Sequence, residues 1–190
     1  MRITDNRYRG ELEKFDLAVR MIGHEARTGT IRAFTGFTED RVRKLYATYF
    51  RTADGYRVRR RRGKSPRQIE RFVSGGRRQH EATVLACLFQ LTGAIGLNQV
   101  GETVAQQSGT SVRTGQLLCQ AYETYLQLYP RPSLSFEWAW NLYRALVDTR
   151  ELCFAWCTTC EGTYVRDSYA LDYQRCASCE LKDKELLRRT

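Results

Sequence analysis

The stretch AWNLYRALVDTRELCFAWCTTCEGTYV (residues 139–165) contains the change of pattern that decides the fold. Up to Val147, apolar residues recur every three or four positions, as on one face of an amphipathic helix that begins after a capping Ser135. These residues are Phe136, Ala139, Trp140, Tyr143, Leu146 and Val147. Beyond the first cysteine pair the helical spacing ends, and Tyr164–Val165 has the pattern of a short strand. We therefore predict a mainly α-helical bundle that ends in a small cysteine-containing module.

The cysteine-containing module is defined by two Cys-x-x-Cys pairs. The four thiols are Cys157, Cys160, Cys176 and Cys179, with 15 residues between the pairs. Tetrahedral zinc binds four thiolates, and each pair can supply two of them from one tight turn. The intervening segment is long enough for a hairpin, with short strands predicted at Tyr164–Val165 and Tyr169–Tyr173. This spacing is typical of zinc ribbons, so we predict one structural Zn²⁺ per chain.

Other uses of the thiols fit the sequence less well. A thioredoxin-like redox pair requires a surrounding βαβ pattern, which this region lacks, and iron–sulfur ligation seldom uses this two-by-two spacing. The chain has 7 cysteines, and an odd number argues against a complete set of disulfides. Cys153 is either a substitute ligand or a buried spectator. Cys87 and Cys119 fall on apolar helix faces, as expected of inert core residues.

No residues with catalytic spacing accompany the predicted zinc site. Catalytic zinc keeps an open position and usually includes histidine or carboxylate ligands, whereas four thiolates close the coordination sphere. His24 and His80 are distant in sequence and are interpreted as ordinary helix residues. Glu137 and Asp148 share one predicted helix and are interpreted as solvated charges. We therefore expect a structural metal and no enzymatic activity.

The composition is that of a globular protein inside a cell. Hydrophobic residues make up 42% of the chain, which suffices for a buried core, and no run approaches the roughly 18 apolar residues of a membrane helix. The N-terminal stretch MRITDNRYRGELEKF lacks the apolar segment of a secretory signal. We expect a cytoplasmic protein, not associated with membranes, whose thiols stay reduced.

Positive charge is concentrated in the first part of the chain. Residues 1–80 contain 21 Lys and Arg against 9 Asp and Glu, whereas residues 81–190 contain 10 against 12. The net charge of +10 therefore comes entirely from the first part. This asymmetry favours a surface for a polyanion near the N-terminus.

The basic part has the outline of a helix-turn-helix. One amphipathic helix is predicted over residues 11–22 and a second over 38–51, where Thr38 is a favourable N-cap. The connecting stretch TGTIRAFTGF (28–37) is predicted to be a turn. The second helix would direct polar side chains towards the base edges and phosphates of a major groove. These are Arg41, Arg43, Lys44 and Thr48. The alternative is that both helices belong to the core and the arginines are solvated.

An arginine-rich segment follows the second helix. Gly63, Ser65 and Pro66 prevent a helix there, and its like charges repel one another. We therefore expect an exposed, flexible loop that an anion would order. Its basic residues are Arg57, Arg59, Arg60, Arg61, Arg62, Lys64 and Arg67. About five or more phosphate contacts would make binding strongly salt-dependent; the alternative is a solvated run of charge.

The middle of the chain is also predicted to be helical. Helices are expected over residues 79–90 and 112–128, and Pro130 and Pro132 end the second. Gly93, Gly96 and Gly101 predict an irregular, flexible connection between these helices. The predicted division of the chain is a basic DNA-binding region (1–80), a helical core (81–152) and a four-cysteine zinc-binding module (153–190).

Several segments together resemble the FlhC family, the larger subunits of the bacterial flagellar master regulator. RVRKLYATYF (41–50) resembles the recognition-helix segment of that family, and GKSPRQIERF (63–72) resembles its linker containing Pro and Phe. HEATVLACLFQL, AYETYLQLYP and the 139–165 stretch resemble successive core segments. The cysteine spacing is also close to that of the family. The resemblance covers most of residues 11–180.

The resemblance implies a DNA-binding transcriptional activator with a structural zinc held by the two Cys-x-x-Cys pairs. FlhC-type proteins act as hetero-oligomers with a smaller helical subunit, FlhD, on promoter DNA upstream of flagellar genes. RNA polymerase is a further expected partner. Three features depart from the family: the arginine-rich linker, the longer polar segment GLNQVGETVAQQSGTSVRTG (96–115), and the short tail after Cys179. They imply that the partner and the promoters could both differ.

Two other functions stay open beside DNA binding. An RNA-binding or ribosome-associated zinc protein would stack single-stranded bases on exposed aromatic side chains. The tyrosines fall mostly on predicted core faces, which disfavours this function. An interaction protein would use the basic loop on an acidic partner and would not bind duplex DNA. Sequence-specific DNA binding in transcription activation is the leading hypothesis.

Overall fold

A computed structural model describes residues 2–51, 58–61, 63–98, 103–105, 109–171 and 175–187. In this part of the chain, helices dominate and two small antiparallel sheets interrupt them, so the prediction of a mainly α-helical protein is confirmed. The helices are α1 (Arg2–Gly23), α2 (Thr28–Thr35), α3 (Glu39–Tyr49), α4 (Glu70–Val73), α5 (Gly76–Leu91), α6 (Val112–Leu128), α7 (Phe136–Val147) and α8 (Ala177–Leu187). The strands are β1 (Ile95–Leu97), β2 (Thr103–Ala105), β3 (Leu152–Trp156) and β4 (Thr163–Asp167). None of the described helices is both long and apolar enough to cross a bilayer.

The connection between the first two predicted helices itself contains a helix. The prediction of a turn over 28–37 is wrong for α2, which buries Ile31 and Phe34 although its sequence is rich in Gly and Thr. Tertiary packing outweighs weak intrinsic propensity here. Gly36 ends α2 in the left-handed conformation, with φ +70°, and its N–H donates to the carbonyl of Arg32 at 2.8 Å. A three-residue connection, 36–38, then leads to α3.

Helix α3 begins where the sequence predicts. The Thr38 hydroxyl accepts a hydrogen bond from the backbone N–H of Arg41 at 3.2 Å, so the predicted N-cap is confirmed. The helix buries Val42, Leu45 and Tyr46 against the neighbouring helices. Its opposite side, which includes the basic residues, faces outwards.

One hydrophobic core extends from Leu17 in α1 to Val165 in β4 and crosses both predicted domain boundaries. Helices α1 and α2 both pack on α6. Gly115 of α6 allows this close approach, because a Cβ atom there would lie 2.7 Å from a methyl carbon of Leu17 and 3.2 Å from the ring of Phe34. The junction of these three helices supports α3, which packs on α1 and α2.

The middle helices follow the predicted pattern closely. Helices α5, α6 and α7 coincide with the predicted helices to within a few residues. Ser135 precedes α7 as expected, but its side chain makes no capping hydrogen bond. The glycine-containing segment after α5 is more ordered than expected, since β1 and β2 form a hairpin in which Ile95 is buried. Thr103 fixes this hairpin by donating to the carbonyl of Leu146 at 2.6 Å.

The second hairpin joins the helical core to the cysteine module. In its register Phe154 pairs with Val165 and Ala155 pairs with Tyr164, so the hairpin has two distinct faces. The first pair contacts the main core, and the second contacts the cysteines. The predicted strand at Tyr164–Val165 is confirmed within β4. The strand predicted at Tyr169–Tyr173 is wrong for 169–171, which form a turn and a bend, and its remaining residues lie outside the described part.

Candidate metal centre and candidate nucleic-acid surface

The four cysteines of the two pairs converge on one point. Their sulfur atoms all lie within 4.8 Å of one another, and the Sγ atoms of Cys160 and Cys176 are 3.9 Å apart. In a tetrahedral zinc–thiolate site with Zn–S bonds of about 2.3 Å, sulfurs lie about 3.8 Å apart. The donor set and its spacing therefore fit a zinc ion, and the chain carries a four-cysteine group that could hold a metal.

The two pairs stand on different kinds of backbone. Cys157 and Cys160 lie in the turn between β3 and β4, which is closed by hydrogen bonds from the Cys157 N–H to Gly162 (3.0 Å) and from the Glu161 N–H to Cys157 (2.8 Å). The second pair lies in and just before the first turn of α8, rather than in a second hairpin turn. The two pairs are linked directly, because the N–H of Cys176 donates to the sulfur of Cys157 at 3.3 Å.

The thiols of the group differ in acidity. Burial raises the pKa of Cys157, but N–H groups of Cys176, Cys160 and Thr159 point at its sulfur and bring that pKa down to about 6. The pKa of Cys179 is raised to about 12, first by its hydrogen bond with Cys176 and then by burial. A bound cation would displace the remaining thiol protons, since thiolates are the metal ligands.

Side chains of α5 attach the module to the helical core. Gln79 donates to the carbonyl of Val165 at 3.1 Å and accepts from the N–H of Ala177, at the start of α8, at 2.7 Å. Thr83, one turn further along α5, accepts from the N–H of Val165 at 3.0 Å. At Val165, therefore, both backbone groups on the free edge of β4 are satisfied by side chains. Sequence reasoning gave Gln79 no role, because a polar residue at the start of a predicted helix carries no distinguishing signal.

Cys153 does not belong to the four-cysteine group. It lies in β3, paired in register with Arg166 of the neighbouring strand. Of the two predicted core cysteines, Cys119 is fully buried, and burial raises the pKa of its thiol to about 12. Cys87 is half-buried, and its pKa is also raised by burial.

The predicted DNA-contacting residues of α3 lie on its exposed side. Lys44 and Thr48 are exposed, and Arg43 is exposed with an ion pair to Asp40 at 2.9 Å. Arg41 is also exposed, but its guanidinium makes both an ion pair and a contact with an aromatic ring. Its guanidinium pairs with Glu11 of α1 at 2.9 Å and stacks 3.8 Å from the centre of the Phe37 ring.

The arginine-rich segment is partly folded back on the protein. Arg60 pairs with Glu39 at 3.3 Å, and Arg61 pairs with Glu25 at 2.7 Å. Both arginines are half-buried, so the expectation of a freely exposed loop does not hold for them. The exposed basic residues are Arg59, Lys64 and Arg67, whereas Arg57 and Arg62 lie outside the described residues.

Glu137 anchors this segment, and its interpretation as a solvated charge is wrong. The carboxylate is buried and accepts hydrogen bonds from the N–H of Arg27 (2.6 Å), the hydroxyl of Thr30 (3.1 Å) and the hydroxyl of Ser65. These donors compensate its burial and join α7, α2 and the basic segment. The only sequence signal was an acid in the first turn of a helix. Asp148, by contrast, is exposed as expected.

Comparison with models of protein families finds no match, and comparison with curated proteins finds none either.

Proposed function

We propose that this protein is a cytoplasmic, sequence-specific duplex-DNA-binding subunit of a transcription activator, stabilised by a structural zinc and of the kind that the FlhC resemblance implies. The observation that carries the proposal is the arrangement of α2, a three-residue connection with Gly36 in the left-handed conformation, and α3. This succession of helix, short glycine-containing turn and helix has the outline of a helix-turn-helix motif, in which the second helix enters the major groove.

The two sides of α3 suit that role. Its inner side is held in the core by Val42, Leu45 and Tyr46, which leaves the helix little freedom to move. Its outer side exposes Lys44, Ala47 and Thr48. Lysine and threonine can hydrogen-bond base edges, and the small alanine between them permits close approach. The net positive charge of residues 1–80 would supply the sequence-independent part of the affinity.

The proposed zinc acts on the fold rather than on a reaction. The four cysteines would fill a tetrahedral coordination sphere, which would leave no position for a substrate. The ion would fix the β3–β4 turn to the start of α8, and the zinc-ribbon-like character of the module belongs to this proposal. The binding energy of such an ion contributes directly to folding.

We further propose that the protein works as a hetero-oligomer with an FlhD-like small helical subunit, at promoters of flagellar or other motility genes, where it assists RNA polymerase. Tyr8 and Leu12 support a partner surface, because both large side chains are exposed on α1. Isolated exposed apolar residues are common, so the partner needs a direct test.

The test is a selection of bound fragments from genomic DNA of the host at roughly physiological salt, with and without its FlhD-like protein. Enrichment of a few promoter fragments that requires the partner is the expected result. Enrichment without it would identify a self-sufficient regulator. Indiscriminate or absent recovery in both arms would refute sequence-specific DNA binding.

A second candidate function is binding of single-stranded RNA. Trp156 and Tyr169, at the two ends of the β3–β4 hairpin, are each 73% exposed, and exposed aromatic rings can stack unpaired bases. Several other tyrosines are buried, as expected, among them Tyr122, Tyr125 and Tyr143. A competition assay, in which single-stranded RNA and duplex DNA compete for binding to the protein, distinguishes the two functions. Stronger binding of the single strand, lost on Trp156→Ala, would favour RNA.

A further inference from the structure

A basic groove runs beside α3, between that helix and the start of the arginine-rich segment. It has a volume of about 390 Å³. Its lining comprises Arg43, Tyr46, Ala47, Phe50, Arg51, Val58 and Arg60. We propose that this groove is a clamp for one backbone phosphate of duplex DNA, held by the guanidinium groups of Arg43, Arg51 and Arg60. The inference rests on the proposed function and deepens it by assigning a contact to Arg51, which the sequence did not single out.

The charge of the groove suits a phosphate. Three arginines and no acidic residue line it among the residues that the structure describes. Arg43 and Arg60 are paired with Asp40 and Glu39, but these two carboxylates are 73% and 63% exposed. Exposed ion pairs are weak and exchange readily, so a phosphate can compete for both guanidiniums. Arg51 is exposed and makes no ion pair within the described part of the chain.

Arg60 is ordered in advance for such a contact. Its side chain is only 18% exposed, it donates to Glu39, and its guanidinium lies 5.8 Å from the centre of the Tyr46 ring. Its Nε is buried and has no acceptor among the described residues, so the guanidinium is incompletely hydrogen-bonded by the protein alone. A side chain that is already ordered loses less entropy when it binds, and the planar arginine fork matches phosphate oxygens.

The groove also explains how the rest of α3 would be used. Arg43 borders the groove on one edge of the helix, whereas Arg41 on the other edge is held by Glu11 and Phe37. Phosphate contacts set the register of a protein on the duplex, and base contacts then specify sequence. A phosphate in the groove would leave Lys44 and Thr48, on the outer side between the two edges, to face the bases. Arg41 becomes a positioning residue for α3.

The first test is the salt dependence of duplex binding by the full chain, measured by fluorescence anisotropy with the FlhD-like subunit present. Arg51→Gln should lower the slope of log affinity against log salt by up to about 0.9, the value for loss of one whole phosphate contact. The ratio of affinities between wild type and variant should therefore shrink by up to about 3.5-fold between 50 and 200 mM salt. Preference for a selected fragment over random duplex should stay unchanged. Arg78→Gln is the matched control, since Arg78 is exposed on α5, outside the groove.

The outcomes separate the clamp from the proposed function. If wild type binds duplex and Arg51→Gln keeps its slope, the clamp is overturned and DNA binding stands. If Arg51→Gln changes preference between sequences instead, the residue contacts a base and the clamp is also overturned. If wild type binds no duplex, the assignment to DNA fails together with the proposed function.

A second measurement needs no DNA. Pyrophosphate is titrated into the full chain while the arginine Nε–Hε resonances are followed by NMR. Shifts at Arg60 and Arg51 in wild type, and loss of the Arg60 shift in Arg51→Gln, are expected. Absence of these shifts alongside intact duplex binding would overturn the clamp. Shifts in a chain that binds no duplex would show an anion groove whose natural ligand is not DNA.

Discussion

The replacement Glu81→Gln tests a buried carboxylate on which the centre of the protein depends. Glu81 lies in α5 between Gln79 and Thr83, the two residues that hold β4. It accepts hydrogen bonds from the hydroxyl of Tyr125, the N–H of Ser133 at 2.7 Å, and the guanidinium of Arg77 at 2.8 Å. One side chain therefore joins α5, α6 and the connection that follows α6.

The size of the effect follows from the pKa of this carboxyl. Burial raises the pKa of Glu81, but the hydrogen bonds from Tyr125, Ser133 and Arg77 outweigh it and lower the pKa from 4.5 to about 2. A group whose pKa is lower in the folded state contributes stability that is fully present above its unfolded pKa. That stability is lost as the pH falls through the folded pKa. The shift corresponds to about 3 kcal/mol of the free energy of unfolding, present near neutral pH and lost between about pH 4.5 and 2.

The measurement is urea unfolding of wild type and Glu81→Gln, followed by helical circular dichroism at a series of pH values. The two proteins share every other titrating group, including the cysteines, so the difference between their stabilities isolates Glu81. We expect the free energy of unfolding of wild type to exceed that of Glu81→Gln by about 3 kcal/mol at pH 7, and this difference to decrease below about pH 4.5. Glu13→Gln is the control, because it changes an exposed ion pair worth ~1 kcal/mol at most. If the difference in free energy of unfolding between wild type and Glu81→Gln stayed constant down to about pH 2, the stability assigned to the ionised Glu81 carboxylate would be refuted.

Three further changes test other parts of the protein. Cys157→Ser should abolish stoichiometric zinc, remove hydrogen-exchange protection from β4 and α8, and lower the protection of α6 to a smaller extent; a metal-free variant that is soluble, binds DNA and has unchanged protection would contradict a structural zinc. Gly115→Ala should lower the free energy of unfolding by about 1–2 kcal/mol, because the clash with Leu17 and Phe34 outweighs the better helix propensity of alanine. A variant as stable as wild type in chemical denaturation would show that Leu17 and Phe34 can move to make room for the methyl group. Lys44→Ala should weaken binding to a selected promoter fragment by ~1–3 kcal/mol more than it weakens binding to random duplex. Equal loss of binding to both DNAs in anisotropy titrations would show that α3 does not contact bases.

The parts of the fold that follow from local sequence were predictable. Helix α6 ends just before Pro130, which cannot continue a helix, and α3 begins at the capping Thr38. The convergence of the four cysteines follows from their spacing alone. In each case the residues that determine the structure lie within one short segment of the sequence.

The features that the sequence did not reveal depend on partners distant along the chain. Helix α2 has poor helix-forming residues and exists because Ile31 and Phe34 find apolar surface on other helices. Glu137 is buried because donors from residues 27–65 happen to surround it. Glu81 carried a weak signal, since it shares the helical stripe of Leu85 and Leu88, where a charged residue must find buried partners.

The two candidate sites are joined by the core rather than by contact with each other. Helix α8 packs on α5, and β4 packs on α4 and α5, whereas α3 packs on α1 and α2. One route between the four-cysteine group and α3 therefore runs from α5 to α6 and then to α1 and α2. These helices share one continuous apolar cluster, which transmits a loss of structure, and the Glu81 carboxylate between α5 and α6 is held by Tyr125 and Arg77. Under the proposed function, a zinc ion would therefore act on α3 through the stability of the shared core, with the β3–β4 hairpin as the element that contacts both the four-cysteine group and that core.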